Sequence, residues 1–206
     1  MSVPDRLSAE LLRAELGDVT IGSEIVVLPV AESTNDVVCE LAKDSRAEGL
    51  VVFAEHQTAG RGQRGNVWQS APSKGLSFSI LLQPAIDLPD SGRLTTWAAQ
   101  TVAFVIGSIC DVIATVKPPN DVYIDRRKVA GVLVEMRALP RAPHFAILGI
   151  GVNVNQSPND FPGDLRAKAI SLAIATGRSV DRHGLAVALL RELDRTYVAK
   201  FAKVTS

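Results

Sequence analysis

Apolar positions along the chain change their period repeatedly, and each change marks an expected element. Leu7, Leu11, Leu12 and Leu16 fall at helical spacing and stop at Gly17, predicting one short amphipathic helix over Asp5 to Leu16. Glu24 to Val30 reads as a strand. Ser33-Thr34-Asn35-Asp36 then opens a helix carrying Val37, Val38 and Leu41, with Ser33 placed as its N-cap. Leu50 to Ala54 is a continuous apolar run, the mark of a buried strand, whereas Leu76, Phe78, Ile80 and Leu82 alternate and predict a strand with one buried face. A helix is expected from about Ser91 to Ile113. Val116 to Lys128 reads as strand, Pro-Pro turn, short strand and charged hairpin at Asp125-Arg126-Arg127-Lys128. Val129 to Met136 and Phe145 to Asn153 make two more strands, the second ending in Gly149-Ile150-Gly151-Val152-Asn153. Helices near Leu172 and from about Arg182 to Phe201 complete the pattern. Strands interspersed with helices, without repeat or low-complexity linker, predict an α+β fold: a mixed β-sheet backed by helices, in one domain over residues 1–206.

Composition narrows the classes. The chain has 206 residues, enough for one substantial core, and its 22 Lys and Arg balance 22 Asp and Glu. Nothing global draws it to nucleic acid or anionic lipid, so neither is expected as a partner. With 47% hydrophobic residues a membrane span has to be considered, and the uncharged run from Leu94 to Cys110 is the candidate. Thr95, Thr96, Gln100, Thr101 and Ser108 interrupt it, and a span needs about 20 predominantly apolar residues, so a core helix is the expectation. The first residues include Pro4, Asp5, Arg6 and Glu10 and form no apolar signal region. Cys39 and Cys110 are far apart and lie in helix-like stretches, which suggests neither a disulfide framework nor a metal knuckle and fits a reducing cytoplasm.

The chemistry concentrates in two basic, glycine-bearing segments, Gly60-Arg61-Gly62-Gln63-Arg64-Gly65-Asn66-Val67-Trp68 and Lys117-Pro118-Pro119-Asn120-Asp121 with Lys128-Val129-Ala130-Gly131. No acidic residue lies between Glu55 and Asp87, yet Arg61, Arg64 and Lys74 fall there among glycines that let backbone approach a ligand. Such a loop suits phosphate or carboxylate. Gly60, Gly62 and Gly65 satisfy a G-x-G-x-x-G spacing, but no helix opens at the last glycine, so the dinucleotide reading fails on context. No Walker-type P-loop is present. For this loop alone, a solvated hairpin tip is an equal alternative.

The ordered set decides the matter. Ser-Thr-Asn at 33–35, Glu-His-Gln-Thr-Ala-Gly-Arg-Gly at 55–62, Trp68, Lys-Pro-Pro-Asn-Asp at 117–121, Lys-Val-Ala-Gly at 128–131 and Gly-Ile-Gly-Val-Asn at 149–153 together resemble the catalytic domain of biotin protein ligases, over nearly the whole chain from Glu24 to Phe201. The resemblance implies ATP-dependent formation of biotinyl-5′-AMP, with Mg²⁺, followed by transfer of biotin to a lysine of a biotin carboxyl carrier domain. A carboxylate must attack the α-phosphorus, so two anions have to be held together while charge builds on phosphate oxygens, and fixed cations are required. Lys128 and Arg61 are the implied catalytic cations. Ser33, Thr34, Asn35, Gln57, Gly60, Arg61, Lys128 and Gly131 fall at biotin-binding positions, with Gly131 leaving room for the ring. Arg64, Trp68, Lys117, Asn120, Asp121 and Asn153 fall on the nucleotide side, and Asp121 is the implied metal-facing carboxylate.

Plainer readings stand beside these. Ser33 is also a helix cap, Trp68 a core residue and Asp121 a turn residue; Arg126 and Arg127 read as solvated charge. His144 and His183 have no ligand spacing, and His56, beside Gln57, is open. Three departures matter: Gln63 and Asn66 stand where the family usually has arginine, and Pro118 where it has tryptophan. They imply weaker retention of an anionic adenylate, and they keep open a non-catalytic binder of biotin or its adenylate. A lipoate-type ligase is the other alternative, without its arginine and glycine-run motif here. About one helix precedes Gly17, too little for a winged-helix DNA-binding domain, and the family's small β-barrel-like C-terminal domain is not expected within this sequence. A homodimer through a sheet edge, as in several relatives, is left open.

Overall fold

A computed structural model describes residues 6–43, 47–69, 71–139 and 142–202. The first expected helix is α1 (Ala9–Leu16), where the Ser8 hydroxyl accepts from the Leu11 amide and Gly17 ends the helix at φ 73°. Its expected first residue, Asp5, lies outside the described residues. Strand β1 (Glu24–Leu28), helix α2 (Thr34–Ala42) and strand β2 (Leu50–Ala54) form a parallel strand–helix–strand unit. Then come β3 (Leu76–Leu82), α3 (Ser91–Cys110), β4 (Thr115–Lys117), β5 (Asp121–Ile124), β6 (Arg127–Leu139), β7 (Ala142–Val152), α4 (Leu172–Thr176) and α5 (Arg182–Phe201). Helix α3 stops three residues before the expected end because Asp111 takes a left-handed conformation, φ 53° and ψ 49°.

Among the described residues, seven strands join one sheet in the order β1-β2-β3-β7-β6-β5-β4, the β1–β2 pair parallel and the other neighbours antiparallel. The expected mixed sheet with helices is what forms. Alternation assigns its two faces. Phe78 and Ile80 of β3, Leu148 and Ile150 of β7, and Ala130 and Val132 of β6 enter the large core beneath α1, α3 and α5. The opposite face is covered only in part. There α2 lays Val38 over Leu50, Val52, Leu81 and Ile147.

β3 differs from the expectation of one buried face: all seven of its residues are buried. Ser77 and Ser79, which alternation alone would send to water, are 4% and 0% exposed. They lie beneath the part of the second face that α2 leaves to the site.

Candidate active site

The register of the three central strands builds the floor of a cleft. Ser79 of β3 pairs with Gly149 of β7, which pairs with Leu133 of β6; one step along, Ser77, Gly151 and Gly131 line up in the same way. The glycines are needed for space. A Cβ on Gly149 would lie 2.3 Å from Asn35 Oδ1, and one on Gly151 would lie 2.3 Å from the Trp68 ring. A Cβ on Gly131 would lie 3.1 Å from Lys128 Cε and Nζ, so this glycine makes room for the lysine arm.

Above the floor, side chains of α2 and the glycine loop form one continuous hydrogen-bonded chain. The Thr34 amide and hydroxyl both donate to Gln57 Oε1, at 2.7 and 3.1 Å. The Thr34 and Ser79 hydroxyls lie 2.7 Å apart, and Ser79 donates to Asn35 Oδ1 at 2.6 Å. Asn35 Nδ2 donates to Glu135 Oε2 at 2.6 Å, which also accepts from Arg61 Nη2 at 3.0 Å. Arg61 Nη1 reaches Asp36 at 2.6 Å. Mutual satisfaction fixes these groups, since a buried polar atom left unpaired costs about 1–3 kcal/mol. Ser33 occupies the N-cap position of α2 and is buried, but its side chain makes no capping hydrogen bond. Its hydroxyl is therefore not held by the helix.

Two cavities meet at this point. The first is lined by Ser33, Thr34, Asn35, Gln57, Arg61 and Gly131 among others; the second by Tyr123, Asn153, Phe161, Leu165 and Lys168 among others. Among the described residues, Trp68 and Lys128 are the two that line both. The second holds about 450 Å³, within the range of small-molecule sites, whereas the first holds about 40 Å³, little more than the volume of one water. The Trp68 ring occupies the space over Gly151 at the edge of the first cavity. Lys128 Nζ lies 5.6 Å from the Trp68 ring centroid and 2.7 Å from Asp121 Oδ1. That ion pair is not aligned as a hydrogen bond, and Asp121 Oδ1 is buried without one.

Of the residues expected at the biotin, Ser33, Thr34, Asn35, Gln57, Arg61, Lys128 and Gly131 come together at the first cavity, while Gly60 lies beneath the Trp68 backbone, where a Cβ would come within 2.6 Å of the Trp68 carbonyl oxygen. Those expected at the nucleotide divide. Trp68 and Asn153 line the second cavity, but Asn120 lines the first and donates to Val132 O at 3.0 Å. Asn153 is 5% exposed, its amide directed to Ile170 O and its oxygen to Gln156. Arg64, Lys117 and Asp121 line neither; Arg64 is exposed on the loop at φ 57°, and Lys117 lies over the Tyr123 ring at 5.3 Å. Arg61 is not a free cation. Hydrogen bonding to Asp36, and then to Glu135, raises its pKa above the ordinary arginine value. Trp68 belongs to the partition between the cavities rather than to the core. His144 bonds Ile86 O, and His183 contacts Glu15, both as structural contacts; His56 Nδ1 is buried with no hydrogen-bond partner.

Sequence reasoning missed Ser79, Leu133, Glu135, Asp36, Gly149 as space for Asn35, and the Tyr123, Phe161 and Lys168 wall. The serines alternating with Leu76, Phe78 and Ile80 were the available signal, because a strand whose second face reached water would more often carry charge there. Arg182 was also missed. It is fully buried at the start of α5, donating to Glu55 at 2.6 Å and to the Ser73 and Gly75 carbonyls, and it fixes the segment that leads into Gln57.

The partly covered sheet face thus carries two cavities with Lys128 and Trp68 on the lining of both and a glycine-arginine loop above them. The chain belongs to the biotin/lipoate A/B protein ligase family, whose model matches residues 27–153. It is 37% identical to the Bifunctional ligase/repressor BirA of Bacillus subtilis (strain 168), over 94% of this chain and 60% of that protein. It is 32% identical to the Biotin--[acetyl-CoA-carboxylase] ligase of Mycobacterium tuberculosis, over 94% of this chain and 73% of that protein. The biotin protein ligase of Aquifex aeolicus in complex with biotin and ATP superposes with a TM-score of 0.71 at 30% identity, covering 85% of this chain and 72% of that one. The chain thus spans 60% of the length of the Bacillus relative.

Proposed function

We propose that this protein is a biotin protein ligase that joins biotin to AMP and then passes biotin to a lysine of a carboxyl carrier domain. The observation that carries the reading is that, among the described residues, Lys128 and Trp68 are the two that line both cavities. With biotin in the first and ATP in the second, the biotin carboxylate and the α-phosphorus meet beside the Lys128 ammonium. A carboxylate oxygen forms the new bond to phosphorus, the bond to pyrophosphate breaks, and the product is the mixed anhydride biotinyl-5′-AMP. Lys128 offsets the charge that builds on the phosphate oxygens, a contribution of about 3–4 kcal/mol for one well-placed donor. Withdrawal of Trp68 from Gly151 opens the first cavity and leaves its ring as the wall against the second. In the second step the carrier lysine attacks the acyl carbon and AMP leaves.

Ser33, Thr34, Asn35, Gln57 and Gly131 form the biotin side of this site, and Asn153, Tyr123 and Lys168 the nucleotide side. Asp121 is the carboxylate we assign to Mg²⁺, which commonly takes one or two protein carboxylates with substrate phosphates; its Oδ1 is held 2.7 Å from Lys128 Nζ and becomes available to the ion when that lysine turns to the substrates. When bound, the ion neutralises phosphate charge. We place the protein in the cytoplasm, which suits the free thiols of Cys39 and Cys110. No helix among the described residues is long and apolar enough to cross a membrane.

Incubation with ATP, Mg²⁺ and either biotin or lipoate, with pyrophosphate release and acceptor labelling followed separately, tests the reading. Release and labelling with biotin alone are expected. Labelling only with lipoate identifies a lipoate-type ligase, and biotin binding without pyrophosphate release identifies a binder.

A further inference from the structure

The side chains that hold Arg61 come from two different elements. Asp36 sits in the first turn of α2, 2.6 Å from Nη1, and Glu135 lies on β6, 3.0 Å from Nη2. Alternation along β6 puts Gly131, Leu133 and Glu135 on one face, so Glu135 stands at the rim of the floor formed by the other two. The same oxygen of Glu135 holds Asn35, a member of the cleft wall. On the loop side, Gly62 N–H donates to Asn66 O at 2.7 Å and Trp68 N–H to Gly60 O at 2.9 Å, so residues 60–68 close on themselves as one hairpin. Among the described residues, Arg61 is the hairpin side chain whose hydrogen bonds reach both walls, α2 through Asp36 and β6 through Glu135.

We infer that Asp36 and Glu135 are positioning residues that clasp the glycine loop through Arg61, so that Arg61 acts as a latch on the cleft and not as a direct cation for the bound anion. The charge balance favours this assignment. Two carboxylates already face one guanidinium, whereas Lys128 faces one carboxylate and sits at the partition itself. The latch gates both entry to the cleft and exit from it. Because Asp36 and Arg61 are 52% and 38% exposed, the clasp is weak and salt-sensitive, worth about two- to fivefold per pair, which suits a loop that opens in every cycle.

The inference rests on the biotin-ligase reading for the identity of the ligand, but not for the latch. Amide hydrogen exchange at Thr58 and Ala59, whose N–H groups donate to Ala31 O and Glu32 O where the foot of the loop meets the segment before α2, tests the latch directly in the protein alone. Glu135→Gln and Asp36→Asn preserve the side-chain shapes; each is expected to speed exchange at these two amides about two- to fivefold, and the double variant up to about tenfold, with the unfolding midpoint unchanged. Unchanged exchange in the double variant overturns the clasp.

Biotin dissociation measured on the same proteins gives the second readout. The latch predicts faster release in the double variant and loss of the salt-dependent acceleration shown by the wild type. If Arg61 instead contacts the biotin carboxylate, removal of its two acidic partners frees it and release slows, which also overturns the proposal. A wild-type protein that binds no biotin refutes the ligase reading, while amide exchange still decides the latch.

Discussion

The two faces of the central sheet solve opposite problems with the same strands. On one, Phe78, Ile80, Leu148 and Ile150 lie under α1, α3 and α5 and are almost fully buried. On the other, one position along the same strands, stand Ser79, Gly149 and Gly151, with a chain of hydrogen bonds over them. The first face stabilises by apolar area. The second forgoes that area, replacing side chains by glycine and apolar groups by hydroxyls, so that a polar cleft fits against the sheet. Stability and chemistry are therefore separable by residue parity, and substitutions on the two faces should separate them.

The largest effect is expected from Phe78→Ala on the closed face. Phe78 is fully buried and stacks on Phe53 at 4.9 Å between ring centroids, so truncation should cost about 3–5 kcal/mol, or roughly 10 °C in unfolding midpoint. Calorimetry checks the midpoint, and biotin affinity of the folded fraction should stay within about threefold. Lys128→Ala should do the reverse. Loss of the ammonium at the partition is expected to slow pyrophosphate release about 100- to 1000-fold, measured at saturating biotin and ATP, and to lower the midpoint by about 2–4 °C as Asp121 loses its partner, well short of the Phe78 change. Unchanged release removes Lys128 from the reacting centre.

Gly149→Ala probes the boundary between the faces. Its new methyl would lie 2.3 Å from Asn35 Oδ1, which Ser79 and Glu135 hold in place, so the strain should cost about 1–3 kcal/mol. Weaker biotin binding by about tenfold, read by calorimetric titration, is the expected result. The smallest effect concerns acid. The hydrogen bond from Lys74 holds the Asp160 carboxyl at about 2, below its ordinary 3.8. A depressed folded value stabilises above the unfolded value and is lost as pH falls through the folded one, so the contribution of Asp160 should fade between about pH 4 and pH 2. Unfolding midpoints of wild type and Asp160→Asn should differ by no more than about 4 °C above that window and converge below it.

Most elements were legible because hydrophobic period is a local signal: α5 and β2 have the expected limits, and β1 and α3 lose only their ends. The site was legible as a set of blocks, and the blocks for residues 33–35, 57 and 128–131 do converge on the first cavity. What pattern could not provide is pairing across the sheet. Ser79 faces Asn35 and Glu135 faces Arg61 only because β3, β7 and β6 are neighbours in a particular register, and periodicity in one segment carries no register information. Arg182 escaped for a related reason. A charged residue in the first turn of a helix reads as exposed until Glu55 and two carbonyls, over 100 residues away in the chain, are seen to enclose it.

Whether two ligands meet at Lys128 can be measured with one molecule: biotin joined to the 5′ position of adenosine through a non-hydrolysable acyl linkage in place of the phosphoanhydride. If the cavities are continuous at Lys128 and Trp68, linking the two halves makes the second contact intramolecular, and affinity should exceed that of biotin alone by at least about 100-fold. The conjugate should also displace both biotin and ATP. Affinity no better than biotin alone, or displacement of only one of the two, would contradict a shared reacting centre.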